Sequence, residues 1–142
     1  VKLVEGALIG VAIGWLQLVA WPERPPRSWI WVVGSSLGWA FAWGYGWGLT
    51  RQVFGDYDLV YLILGGLAGF GAGLIQLLLL FRYTRHAGVW LVGSTLGWAA
   101  GSALGVLIPG MLGWPIGGAV AGLITGLTLV WLLKPAYSAQ AS

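Results

Sequence analysis

The chain has no cysteine, one histidine, one methionine and four acidic residues among its 142. Without cysteine there is no disulfide, no thiol nucleophile and no thiolate metal site. His86 has no second His or Cys with which to complete a metal centre, so no metal ligands are assigned. Charge is scarce as well: Asp, Glu, Lys and Arg make up 8% of the chain, against roughly 25% in a typical soluble protein. With 58% hydrophobic residues and a mean hydropathy of +0.85, polar groups are too few to cover a water-exposed surface. Most of the chain is therefore expected in lipid. The net charge of +3 comes from seven basic residues scattered singly. Phosphate recognition needs them clustered, so nucleic acid is excluded as a partner.

What the chain does have is long apolar runs. Five are of spanning length, at about 20 residues each: 3–21, 28–49, 59–81, 88–107 and 114–133. The first carries Lys2 and Glu5 and continues to full length, so it reads as a span and not as a cleavable leader. The breaks PERPPR, TRQVFGDYD, RYTRHAG and IPGMLGWP have turn chemistry, and Pro115 opens the last run where no helical hydrogen bond is lost. Arg24, Arg27, Arg82, Arg85 and Lys134 fall on one side of this array, Lys2 and Arg51 on the other with Asp56 and Asp58. By the excess of positive charge the first side is cytoplasmic, which leaves the N-terminus outside and the C-terminus inside. Trp21, Trp29, Trp31, Trp90 and Trp131 border the basic side and Trp47 and Trp114 the other, as interfacial belts do.

The stretch VGSSLGWA at 33–40 returns as VGSTLGWA at 92–99, an offset of 59 residues. From Leu3 to Gly46 the same offset matches 16 of 44 positions without a gap, so the unit is a helical hairpin occurring twice. Gly118, Gly122, Leu123, Ile124 and Thr125 mirror Gly69, Gly73, Leu74, Ile75 and Gln76 at an offset of 49, a third copy of the first arm. The expected architecture is a single all-α transmembrane domain over 1–142, with five transmembrane helices. Repeat 1 covers 3–46, repeat 2 covers 62–105, and a half repeat covers 114–133. Two spans per unit make the repeats parallel, which argues weakly against an alternating-access transporter.

Glycines recur every four residues along the spans: Gly10 and Gly14, Gly34 and Gly38, Gly69 and Gly73, Gly93 and Gly97, Gly118 and Gly122. Such a ridge lets a neighbouring backbone approach closely, and packing is what holds helices together in lipid. These ten positions are the expected helix-packing seams. Gln17 and Gln76 lie seven residues beyond Gly10 and Gly69, within about 20° of the same face, and are expected in the seam as polar glue. A ligand hydrogen bond is their alternative role. Trp39 and Trp98 fall near mid-membrane, where an indole N–H wants an acceptor. They either pack or present a flat wall to a ligand, so Trp39, Trp98, Gln17 and Gln76 are the candidate cofactor-binding residues. A carotenoid, a chlorophyll, a quinone or a lipid would fit that wall, and the sequence does not choose among them. No ionisable residue lies mid-span, which disfavours a proton relay. No catalytic residue is assigned: His86 and the loop acids fall on opposite sides of the array.

The pattern GxxxGLxQ, a short basic turn, then GxxLGWAxG, carried here by Gly69, Gly73, Gln76, Arg82, Arg85, Gly93, Leu96, Gly97 and Trp98, resembles an uncharacterised bacterial family of Gly/Trp-rich transmembrane hairpin repeats. That family is common in photosynthetic bacteria. In the first unit Pro22, Pro25 and Pro26 replace the basic turn. The resemblance implies a helical fold in a bacterial inner or photosynthetic membrane, and no activity. The expected role is a non-catalytic accessory or scaffold subunit, surrounded by lipid and other transmembrane subunits of a photosynthetic or respiratory complex. The more aromatic first hairpin is its expected contact face. The alternatives are a binder of a lipophilic molecule and a small transporter or channel for an uncharged solute.

Overall fold

Leucine and alanine, both strong helix formers, are frequent in the apolar runs, and a backbone with no water to bond must close its hydrogen bonds within the segment; both favour helix. The computed structural model describes residues 1–19, 21, 28–55 and 59–140, without the side chains of 47, 59 and 135–140. Among these residues the chain is all helix: α1 (Lys2–Val19), α2 (Trp29–Phe41), a π turn (Ala42–Gly46), α3 (Trp47–Phe54), α4 (Leu59–Leu80), α5 (Gly88–Leu107) and α6 (Gly113–Gln140). Four helices, α1, α4, α5 and α6, are long and apolar enough to cross a membrane. The second expected span is divided differently. α2 passes into the glycine-rich π turn AWGYG and on into α3, so no α-helical stretch there reaches spanning length alone. A π turn adds a residue to the helical repeat and shifts the register of the helix beyond it, which the four-residue glycine spacing concealed.

The helices pack in the order α1, α2, α4, α5, α6, each against the next. Small residues set the closeness of each contact. A Cβ on Gly10 would fall 2.6 Å from Ser36 Cα, and one on Gly14 would fall 2.9 Å from Val32 Cα, so α1 lies backbone to backbone on α2. Gly65, Gly69 and Gly73 put α4 on α5 through Ser94, Trp98 and Ser102. Gly34 and Gly38 bring α2 onto Ile75 and Ala72 of α4. Gly93 and Gly97 bring α5 onto Thr128, Thr125 and Ile124 of α6. Eight of the ten expected seam positions thus face a neighbouring helix. Gly118 and Gly122 do not: nothing lies within 4 Å of where their side chains would be. The seam of α6 on α5 runs one residue earlier, through Gly113, Gly117 and Ala121, with Gly117 and Gly101 in backbone contact. Both registers follow a four-residue step, and sequence spacing alone does not tell which one meets α5.

Candidate functional site

Two aromatic and polar layers occupy the bundle interior. In the first, Trp31 and Trp90 are fully buried with ring centroids 5.2 Å apart, and Trp21 meets Trp31 edge-on at 5.2 Å. Trp21, Trp31 and Trp90 are therefore core residues and not the interfacial anchors their place near the span ends suggested. Trp29, Trp114 and Trp131 are half-exposed or more, as the belt reading expects. Each buried indole N–H requires an acceptor, and each hairpin supplies its own glutamine. Trp31 Nε1 donates to Gln17 Oε1 at 2.9 Å, and Trp90 Nε1 to Gln76 Oε1 at 3.1 Å, fourteen residues apart in both cases.

The two glutamines then join the hairpins. Gln76 Nε2 donates to Ser35 Oγ at 2.6 Å and to Gln17 Oε1 at 3.3 Å, while Ser35 Oγ donates to the Trp31 carbonyl at 3.0 Å. Both N–H groups of Gln76 are thereby used, and its carbonyl accepts once. Gln17 is not. Its Oε1 accepts from both Trp31 and Gln76, which fixes the orientation of the amide, and its own NH2 donates to no acceptor among the described residues. Gln76 is buried, whereas Gln17 is half-buried and faces a groove.

In the second layer Trp39 meets Trp98 edge-on at 4.6 Å and Trp43 at 5.6 Å. Trp39 is 4% exposed, and its buried Nε1 has no acceptor among the described residues. A buried N–H left alone costs about 1–3 kcal/mol, so this donor is unusual in the core.

Between α1 and α6, which make no extensive contact with each other, runs an apolar groove of about 480 Å³. Ile13, Leu16 and Gln17 form one wall, Gly118, Gly122 and Gly126 the other, and Trp90 and Trp98 the floor. It adjoins a chamber of about 190 Å³ lined by Trp39, Trp43 and Trp114, the two sharing Ile13, Trp98 and Gly118. All four candidate ligand residues belong to this neighbourhood. Gln17 and Trp98 line the groove, Trp39 and Trp98 line the chamber, and Gln76 stands behind Gln17 and Trp90. Trp90 was missed as a site residue; its fourteen-residue spacing from Gln76, repeated by Trp31 and Gln17, was the available signal.

The charged residues lie elsewhere. Lys2 Nζ and Glu5 pair at 2.8 Å near the start of α1. His86 is exposed, its ring 6.3 Å from that of Trp131. Arg24, Arg27, Asp56 and Asp58 lie outside the described residues. Comparison of the chain with protein-family models, with curated proteins and with solved structures finds no match.

Proposed function

We propose that the chain is a non-catalytic accessory or scaffold subunit that packs laterally against another transmembrane segment within a larger membrane complex. The observation that carries this reading is the glycine ridge of α6. Gly118, Gly122 and Gly126 are bare over two helical turns and have no neighbour, whereas the ridges of α1 and α4 each meet a helix. A bare ridge gains nothing from acyl chains and gains close packing from a helix. The reading takes residues 29–54, continuous through the π turn, as a fifth span, giving two parallel hairpins and a half. The shared fourteen-residue Gln–Trp bond supports that division. The excess of basic residues on one side supports an N-terminus outside and a C-terminus in the cytoplasm. The Gly/Trp resemblance is consistent with a bacterial inner or photosynthetic membrane. On the outward face of α2 and the π turn, Phe41 and Tyr45 are exposed with rings 5.5 Å apart and offer a second contact surface.

A second reading, a binder of a lipophilic molecule, is favoured by the chamber: four tryptophans surround it, and the Trp39 N–H could meet a keto or ester oxygen. A carotenoid, a quinone, a chlorophyll or a lipid supplies such an oxygen. Purification from the source membrane in mild detergent, with a native mass and an absorption spectrum, separates the two. A partner in the native mass supports the first reading and a visible chromophore the second; a colourless monomer counts against both.

A further inference from the structure

The offsets of 59 and 49 residues that relate the segments also relate their contacts. Comparing the contacts leaves one position vacant. First arms lie on the second arm of their own unit: Gly10 meets Ser35 and Ser36, and Gly69 meets Ser94. Second arms lie on the first arm of the next unit: Gly38 meets Ala72, and Gly97 meets Ala121 and Thr125, the counterparts of Ala72 and Gln76. The helix α6 is a first arm, and among the described residues no second arm lies against it. Its Gly118 and Gly122 stand where Gly69 and Gly73 do, and they meet nothing. The helix α1 is a first arm, and among the described residues no second arm covers its corresponding face. Its Ile9, Ile13, Leu16 and Gln17 stand where Ala68, Ala72, Ile75 and Gln76 receive α2. These two unmet faces are the opposing walls of the groove and its chamber.

The unmet polar groups agree with the same vacancy. In the second unit the Gln76 amide donates to Ser35 Oγ, on the second arm seated against it. The Gln17 amide faces the groove and donates to nothing among the described residues, for want of the corresponding hydroxyl. The Trp39 indole, 96% buried by its 4% exposure, lines the adjoining chamber with its N–H unaccepted.

We propose that the groove between α1 and α6 is a docking site for a single transmembrane helix of another polypeptide. That helix has second-arm chemistry: small residues facing Gly118 and Gly122, and a hydroxyl or free carbonyl facing Gln17. The proposal rests on the accessory-subunit reading and names its partner's chemistry. A second copy of this chain does not supply the helix. Its own second arms already bury Trp31, Ser35 and Gly38, or Trp90, Ser94 and Gly97, inside the bundle. Ile13 replaces the smaller Ala72, so the guest nests deeply on α6 and stands farther from α1 than α2 does from α4.

The absence of cysteine makes the test direct, because any introduced thiol is unique. The intact protein carrying Gly122→Cys or, as a control on the lipid-facing side of α6, Leu123→Cys is placed in lipid nanodiscs. The probe is a synthetic spanning peptide with the sequence of residues 88–107 carrying Ser94→Cys. Ser94 neighbours Gly73, the counterpart of Gly122, with its Cβ 3.2 Å from a Cβ placed there. The expected disulfide yield is about tenfold higher at Gly122→Cys than at Leu123→Cys, the ratio given by a modest site preference, and adding Gly118→Leu abolishes it. Equal yields, no cross-link at either position, or a peptide-independent dimer linked through Gly122→Cys overturns the proposal; a lipid that fills the groove gives the second of these. The broader reading fails separately. If site-specific cross-linking occurs but no partner copurifies from source membranes, the accessory role falls and the docking chemistry stands. If a natural partner is retained by Gly118→Leu/Gly122→Leu, the accessory role stands and this docking site falls.

Discussion

Replacing Gln76 by leucine removes a side chain of similar volume that makes three hydrogen bonds, two given and one received. Interhelical hydrogen bonds in membranes average about 0.6 kcal/mol each, so the bonds alone account for about 2 kcal/mol. Loss of the acceptor also strands the indole N–H of Trp90, which is fully buried, at a further cost of about 1–3 kcal/mol. The leucine gains little in return, because its surroundings and the lipid reference are equally apolar. We therefore expect Gln76→Leu to destabilise the bundle by about 3–5 kcal/mol, measured as reversible unfolding in mixed micelles. The origin of that loss is separable. Trp90→Phe removes the stranded donor, so Gln76→Leu combined with Trp90→Phe is destabilised by less than the sum of the single changes, by about 1–2 kcal/mol. A Gln76→Leu variant within about 0.5 kcal/mol of the parent, or a strictly additive double variant, would refute the description of this network as the polar junction of the two hairpins.

Gln17→Leu is expected to cost less than Gln76→Leu in the same assay, because Gln17 donates to nothing among the described residues and its place is half-buried; an equal or larger loss would contradict the polarity assigned to the network. Trp39→Phe removes a buried N–H without an acceptor, so thermal unfolding should show a change between neutral and about 1 kcal/mol stabilising. A loss above about 2 kcal/mol would mean that the N–H is satisfied in the folded protein. Gly122→Ala meets open space and should stabilise the isolated protein by about 0.5–1 kcal/mol through helix propensity, a gain that a competing clash would erase.

Much of the bundle was legible because glycines recur at four-residue steps along the helices. The glycine steps of α1, α2, α4 and α5 and the position of Gln76 follow from spacing, since a residue two turns from a bare ridge lies on the same face. The fate of Trp31 and Trp90 did not follow. A tryptophan near a span end can anchor at the interface or bond inward, and only the glutamine fourteen residues earlier decides it. The π turn escaped because AWGYG satisfies helical composition in either register. On α6 two glycine series run side by side, Gly113 and Gly117 with Ala121, and Gly118, Gly122 and Gly126. Periodicity marks both and does not say that one meets α5 while the other is left bare. The groove arises from that difference, so it became visible only with the helices in place.

Bare backbone is a contact surface in some registers of this bundle and an unfilled one in another. The sharpest measurement is the unfolding stability of Gly69→Leu and Gly118→Leu, two changes at corresponding positions of α4 and α6. Gly69 abuts the Ser94 backbone and Trp98 Cβ, while Gly118 has nothing within 4 Å. The prediction is an unfolded or severely weakened Gly69→Leu and a Gly118→Leu that unfolds like the parent; equal losses at both positions would contradict it.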